Sequence, residues 1–194
     1  MPGAVSVGFY GKLPARGDFV RAGLPRAFVE PWDAWLASVL GGSRALMGED
    51  WLPAWLEAPV WRFRLAAGVC GPDAALGLML PSVDRVGRYF PLTLAAVFGA
   101  DRFPPERAAC DAWLDGCEEA GRAALDDDGT ADRLAELLFP PDDSGIGTWA
   151  EASLWWTEGA PRVPAGRLHP PGLPSPAAFA AMLGHEGEAL ERQP

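Results

Sequence analysis

Near residue 60 the hydrophobic period of this chain changes from 3.6 residues to 2, and that switch restricts its fold more than any other feature. Before it, Phe28, Val29, Trp32, Trp35, Leu36, Val39 and Leu40 recur at the spacing of a core-facing helix. The helix is expected to start near Glu30 or to kink at Pro31, because proline lacks an amide donor and fits best in a first turn. Gly41-Gly42 reads as its end, and a short aromatic helix is expected around residues 50–56. After the switch, Trp61, Phe63 and Leu65 alternate with Val60, Arg62 and Arg64. Beyond the Gly71-Pro72-Asp73 turn, Leu76, Leu78 and Leu80 alternate with Ala75, Gly77 and Met79, which predicts a hairpin. In a third run, Leu92, Leu94, Ala96 and Phe98 alternate with the equally uncharged Thr93, Ala95 and Val97. A strand without charge on either side belongs in the middle of a sheet, with helices packed on both faces.

The flanking segments extend this pattern. Residues 4–10 read as a strand, followed by a Gly- and Pro-punctuated loop to about Pro25. A helix over 104–125 opens with Pro104-Pro105-Glu106 and places Cys110, Trp113, Leu114, Cys117 and Ala120 on one stripe. A shorter helix follows Thr130, and residues 148–156 read as a last strand. In the Pro- and Gly-rich remainder, only Ser175-Pro176, an N-cap before a first-turn proline, announces a helix. The expected organisation is an α/β domain over residues 1–158, with a sheet of four or more strands. The hairpin-type connections make that sheet mixed and largely antiparallel rather than wholly parallel. Residues 159–194 form an extension that wraps the domain or is loosely held.

Charge narrows the function. The formal net charge of the 194 residues is −10, opposite to the basic footprint that nucleic acid or an anionic membrane demands. Residues 1–100 carry 9 basic and 8 acidic side chains, and the rest carry 7 and 18, so the acid lies in the second half. Lys12 is the sole lysine. The uncharged run at 89–100 is broken by Pro91 and too short to span a bilayer. The opening residues lack a basic targeting region, and three scattered cysteines fit a reducing compartment. A cytoplasmic protein without membrane insertion is expected.

Catalytic patterns are missing. Gly41-Gly42-Ser43-Arg44-Ala45 fails the nucleophile-elbow pattern at its last position. His169 and His185 lie in the poorly patterned extension, and no pair of cysteines or histidines has zinc spacing. Gly8 to Leu13 has a glycine and a lysine after a strand but neither the spacing nor the hydroxyl of a phosphate loop. Asp126-Asp127-Asp128 and Asp142-Asp143 read as solvated turn residues rather than metal ligands, and Arg16-Gly17-Asp18 as an accidental match to an integrin-binding tripeptide. No metal or cofactor is expected.

Two polar-aromatic clusters remain, GFYGKLPARGDFVRAGLP at residues 8–25 and PSVDRVGRYFPLTL at 81–94. Each sets Arg and Asp among glycines and aromatics at the end of an expected strand, where loops carry sites. In one reading, Asp18 and Asp84 pair with Arg16, Arg21, Arg85 or Arg88 and merely lock two long connections. In the other, the clusters converge on one surface that offers guanidinium groups to an acidic or phosphorylated partner. The candidate binding residues are Lys12, Arg16, Asp18, Arg21, Asp84, Arg85 and Arg88. A ligand sensor or an enzyme using the same Arg and Asp residues is the alternative.

These two segments, with WDAWL at 32–36, APVWRF at 58–63 and SLWW at 153–156 in that order, resemble the TagF (ImpM) family of type VI secretion-associated proteins. The resemblance implies a three-layer αβα fold and a non-catalytic bacterial cytoplasmic protein that represses type VI secretion after translation. It further implies a forkhead-associated scaffold protein as a partner and, in some systems, a fused phosphatase, for which residues 159–194 are too short. It assigns no roles to individual residues.

Overall fold

The computed structural model describes residues 5–99, 107–126, 129–141, 151–186 and 191–192. Strands β1 (Val5–Gly11) and β2 (Val20–Ala22) precede helix α1 (Arg26–Met47), a 3-10 turn and α2 (Trp51–Leu56). Three strands follow, β3 (Trp61–Leu65), β4 (Ala74–Leu80) and β5 (Leu92–Phe98), then α3 (Arg107–Leu125) and α4 (Ala131–Leu137). The chain continues through β6 (Ser153–Thr157), β7 (Gly166–Leu168), α5 (Pro176–Met182) and β8 (Glu191–Arg192). One sheet joins all the strands in the order β2-β1-β5-β4-β3-β6-β7-β8.

Every pairing in that sheet is antiparallel, so the expected mixture with parallel strands is corrected. The cause is the connectivity: β3, β4 and β5 are sequential neighbours, and β1 closes onto β5 through the pairs Val5↔Phe98 to Tyr10↔Thr93. The uncharged run at 92–98 is indeed an interior strand with all seven residues buried. Alternation sorts its side chains into two cores. Thr93, Ala95 and Val97 face the side of α1 and α5, where Trp32, Trp61, Phe63, Trp155 and Phe179 pack. Leu92, Leu94, Ala96 and Phe98 face the side of α3 and α4, with Trp113, Leu114, Cys117 and Leu134. Cys110 and Cys117 share that second core, as their seven-residue spacing predicts.

Helix α1 does not start near Glu30 but follows the other expected alternative, an earlier turn with the proline inside it, and it departs from its expected limit at the C-terminal end. It begins at Arg26 and carries Pro31 inside it. Proline cannot donate to the Ala27 carbonyl, and the backbone of Gly71 lies against that oxygen, where a Cβ would come within 2.4 Å. Nor does Gly41-Gly42 stop the helix, which runs to Met47. A Cβ on Gly42 would fall 2.5 Å from Pro176, so this glycine is a packing contact that lets α5 approach α1. Ser175 caps α5 by accepting from the Ala178 amide, and Phe179 and Met182 from that helix are sealed in the first core. The segment after Gly159 thus supplies two strands, β7 and β8, and a core helix. Its expected helix is present, while β2, β7 and β8 were not expected. The expected residues 104–106, 127–128, 142–143 and 148–150 lie outside the described residues.

Buried indoles fix the core's orientation. Trp32 donates to Thr93 Oγ1 at 2.9 Å, tying α1 to the central strand. Trp61 donates to the Met182 carbonyl at 3.0 Å, and Trp35 to that of Pro174 at 2.8 Å, tying the later segment down. A buried N–H left without an acceptor costs about 1–3 kcal/mol, so these bonds make the aromatic core directional as well as apolar.

Candidate functional site

The two polar-aromatic clusters meet at the β1 end of the sheet. The first continues from β1 through a loop into the edge strand β2, and the second is the connection from β4 to β5. Because β1 pairs with β5, the loop leaving β1 emerges beside the chain entering β5. Gly11 permits the close crossing: its φ is 149°, and a Cβ there would lie 2.1 Å from the Pro91 carbonyl oxygen.

Four hydrogen bonds stitch the loops together, three of them to backbone carbonyls and one to the Asp84 carboxylate. Ser82 Oγ donates to the Lys12 carbonyl at 2.7 Å, the Arg85 amide donates to the Arg16 carbonyl at 2.9 Å, and Arg88 Nη2 donates to the Gly17 carbonyl. At their centre is Asp84, only 3% exposed. Its Oδ1 accepts from the amides of Val86 (3.0 Å) and Arg88 (2.9 Å). Its Oδ2 accepts from Lys12 Nζ (2.8 Å) and Arg88 Nε (2.7 Å). The turn that wraps this carboxylate needs Gly87 at φ 83°. Burial alone pushes the Asp84 carboxyl up, but the hydrogen bonds from Lys12, Arg88 and Val86 outweigh it and hold the group well below the usual carboxylate range. Lys12 is 5% exposed. Asp84 and Arg88 therefore form a lock of the kind offered by the first reading of the sequence, and Lys12, which that reading did not include and which was expected at the binding surface, completes it from the buried side.

The other four candidates point outward. Arg16, Asp18, Arg21 and Arg85 are exposed and line one recess of about 760 Å³, together with Ala15, Gly17, Phe19, Val20 and Ala131 at the start of α4. Asp18 accepts the Phe19 amide at 2.7 Å, which shapes the loop. Sequence reasoning missed Phe19, which is 43% exposed. Its ring stacks on Tyr10 (centroids 5.5 Å apart), meets Phe90 edge-on at 4.9 Å and lies 5.0 Å from Lys12 Nζ. Tyr10 is anchored in turn by donating to Asp33 on α1 at 2.6 Å. Burial, then that bond, push the Tyr10 phenol above its ordinary range. A half-open ring at such a place carries no sequence signal, since only the fold decides that its outer face stays bare.

On the α3 side of the sheet a second recess, of about 190 Å³, is lined by Arg64, Cys110, Asp111, Glu151, Leu154, Trp156, Arg167 and His169. There His169 Nδ1 lies 3.4 Å from Glu151, and Arg64 lies 3.8 Å from the same carboxylate. Burial pushes the Cys110 thiol up to about 11, the opposite of an activated nucleophile. Cys70 and Cys117 are pushed up to about 12 by the same cause. Among the described residues, no group of three or more His, Cys, Asp or Glu side chains could hold a metal ion. Among them, too, no helix is long and apolar enough to cross a membrane.

Comparison with known proteins matches this architecture to one family. The family model for the TagF N-terminal domain, described as type VI secretion system-associated, matches residues 8–139, which include both loops of the recess. No curated protein matched the chain. Among solved structures, the chain is similar to the crystal structure of PA0076 from Pseudomonas aeruginosa PAO1. The two are 37% identical, with a TM-score of 0.82 over 97% of this chain and 99% of that one. With more than half of its length inside the family model, and with the glycines, arginines and buried aspartate of both motifs built into one end of its sheet, this chain belongs to the TagF family of type VI secretion-associated proteins.

Proposed function

We propose that this protein is a non-catalytic, cytoplasmic repressor of type VI secretion that acts after translation by binding a component of the secretion machinery. The partner we propose is a forkhead-associated scaffold protein, held through the surface that the two loops build. One observation carries the reading: a buried lock joins two segments far apart in sequence and leaves Arg16, Arg21 and Arg85 exposed around one recess. Arginine presents several donors in a fixed plane, which suits it to carboxylate recognition between proteins. The two apolar clusters on opposite faces of the sheet support the three-layer αβα arrangement for this chain.

The test is capture of the scaffold from native cytoplasm by tagged full-length protein, read beside secretion in the same cells. Capture and repression should both fail in a folded variant with Arg16 and Arg85 reversed to Glu. If both persist, the surface is not the interface. A ligand sensor using the same arginines would instead show a thermal shift with one class of nucleotide or phosphorylated compound.

A further inference from the structure

Arginines elsewhere on the described surface have local acceptors. Arg26 pairs with Glu30, Arg122 with Glu118, Arg133 with Glu136 and Arg162 with Glu57, while Arg44 lies over the Trp51 ring. Arg16, Arg21 and Arg85 depart from this pattern. They are exposed, line the same recess and make no side-chain ion pair or hydrogen bond with another described residue. In a molecule of net charge −10 with 26 acidic residues, no carboxylate among the described residues forms an ion pair with these three guanidiniums, although Asp18 shares their recess.

Building on the proposed repressor surface, we infer that this recess is the seat of an extended acidic segment of the partner protein, a stretch of Asp and Glu residues gripped by Arg16, Arg21 and Arg85. The three arms stand on three separate pieces of backbone: the loop after β1, the edge strand β2 and the β4–β5 connection. That spread fits several monovalent carboxylates along a chain better than one compact dianion. Asp18 in the wall of the recess repels a phosphate more strongly than a single carboxylate. The bare face of Phe19, which lines the recess, gives the segment apolar contact beside the charged arms. Since the molecule as a whole carries a net charge of −10, its overall field repels an acidic segment that this recess attracts, which gives the contact its specificity.

The experiment measures fluorescence anisotropy of labelled peptides with the full chain. The probes are an Asp/Glu-rich peptide, its Asn/Gln counterpart and a phosphothreonine peptide of the same length. The acidic peptide should bind, bind more weakly as salt is raised, and lose at least about tenfold in affinity to R16E/R21E/R85E. A variant with the same net charge, R26E/R122E/R162E, should retain binding. Thermal melts establish that both variants are folded, and R16K/R21K/R85K provides a milder second test, with partial loss expected. Equal binding of the neutral peptide, preference for the phosphothreonine peptide, or equal loss in the charge-matched variant would overturn the acidic segment. Secretion is scored separately. If R16E/R21E/R85E abolishes repression although no acidic peptide binds, the acidic occupant is wrong and the surface stands. If repression survives although the acidic peptide is lost, the surface itself is wrong.

Discussion

Lys12 and Arg16 are four residues apart on one loop, and Asp84 and Arg85 are neighbours on another, yet each pair is split between interior and solvent. Lys12 and Asp84 are sealed and matched to each other, whereas Arg16 and Arg85 are exposed, joined only through the amide of one and the carbonyl of the other. The difference lies in what each group replaces on leaving water. A buried carboxylate is tolerable only when its lone pairs are filled, and Asp84 receives four donors. The exposed guanidiniums keep their hydration and remain available to a partner. The sealed pair fixes the geometry from which the exposed arginines project.

The sharpest way to break that division is to remove the sealed carboxylate. Asp84→Ala strands the Lys12 ammonium in an almost closed site and should cost about 3–5 kcal/mol in urea denaturation. A loss under about 1 kcal/mol would mean that the loops hold together without it. Gly11→Ala comes next, because the new Cβ meets the Pro91 carbonyl at a φ favouring glycine; about 2 kcal/mol of destabilisation is expected. Acid probes the same lock without mutation. The folded Asp84 carboxyl titrates below its unfolded counterpart, so its stabilisation is complete above the unfolded value of about 4 and fades as pH falls towards the folded one. Melts between neutral and strongly acid pH should show this decline, and Asp84→Asn should be flatter over the same range. The smallest effect belongs to the open arms: single reversals at Arg16, Arg21 or Arg85 should change stability by no more than about 0.5 kcal/mol.

Much of this arrangement was legible in the residues, and the gaps have physical causes. Strands β3, β4 and β5 follow directly from alternation, and the seven-residue cysteine spacing placed α3 on its core. The convergence of the two clusters was one of two readings the residues left open, because sitting at strand ends does not say which ends are neighbours; the pairing of β1 with β5 decides it. What sequence could not divide was lock from surface, because Asp18 and Asp84 look alike until the fold buries one and leaves the other exposed. Gly42 was misread for a related reason: a glycine that ends a helix and one that admits a crossing helix are identical in sequence, and only Pro176, far along the chain, distinguishes them. Strand β2 escaped notice because three residues are too few for alternation to register.

The most direct test pairs stability with capture in one variant. R16E/R21E/R85E should melt within about 5 °C of the unaltered protein while failing to co-purify the forkhead-associated scaffold and failing to repress secretion. A variant equally stable that still captures the scaffold and still represses would contradict the division between a structural lock and a binding surface.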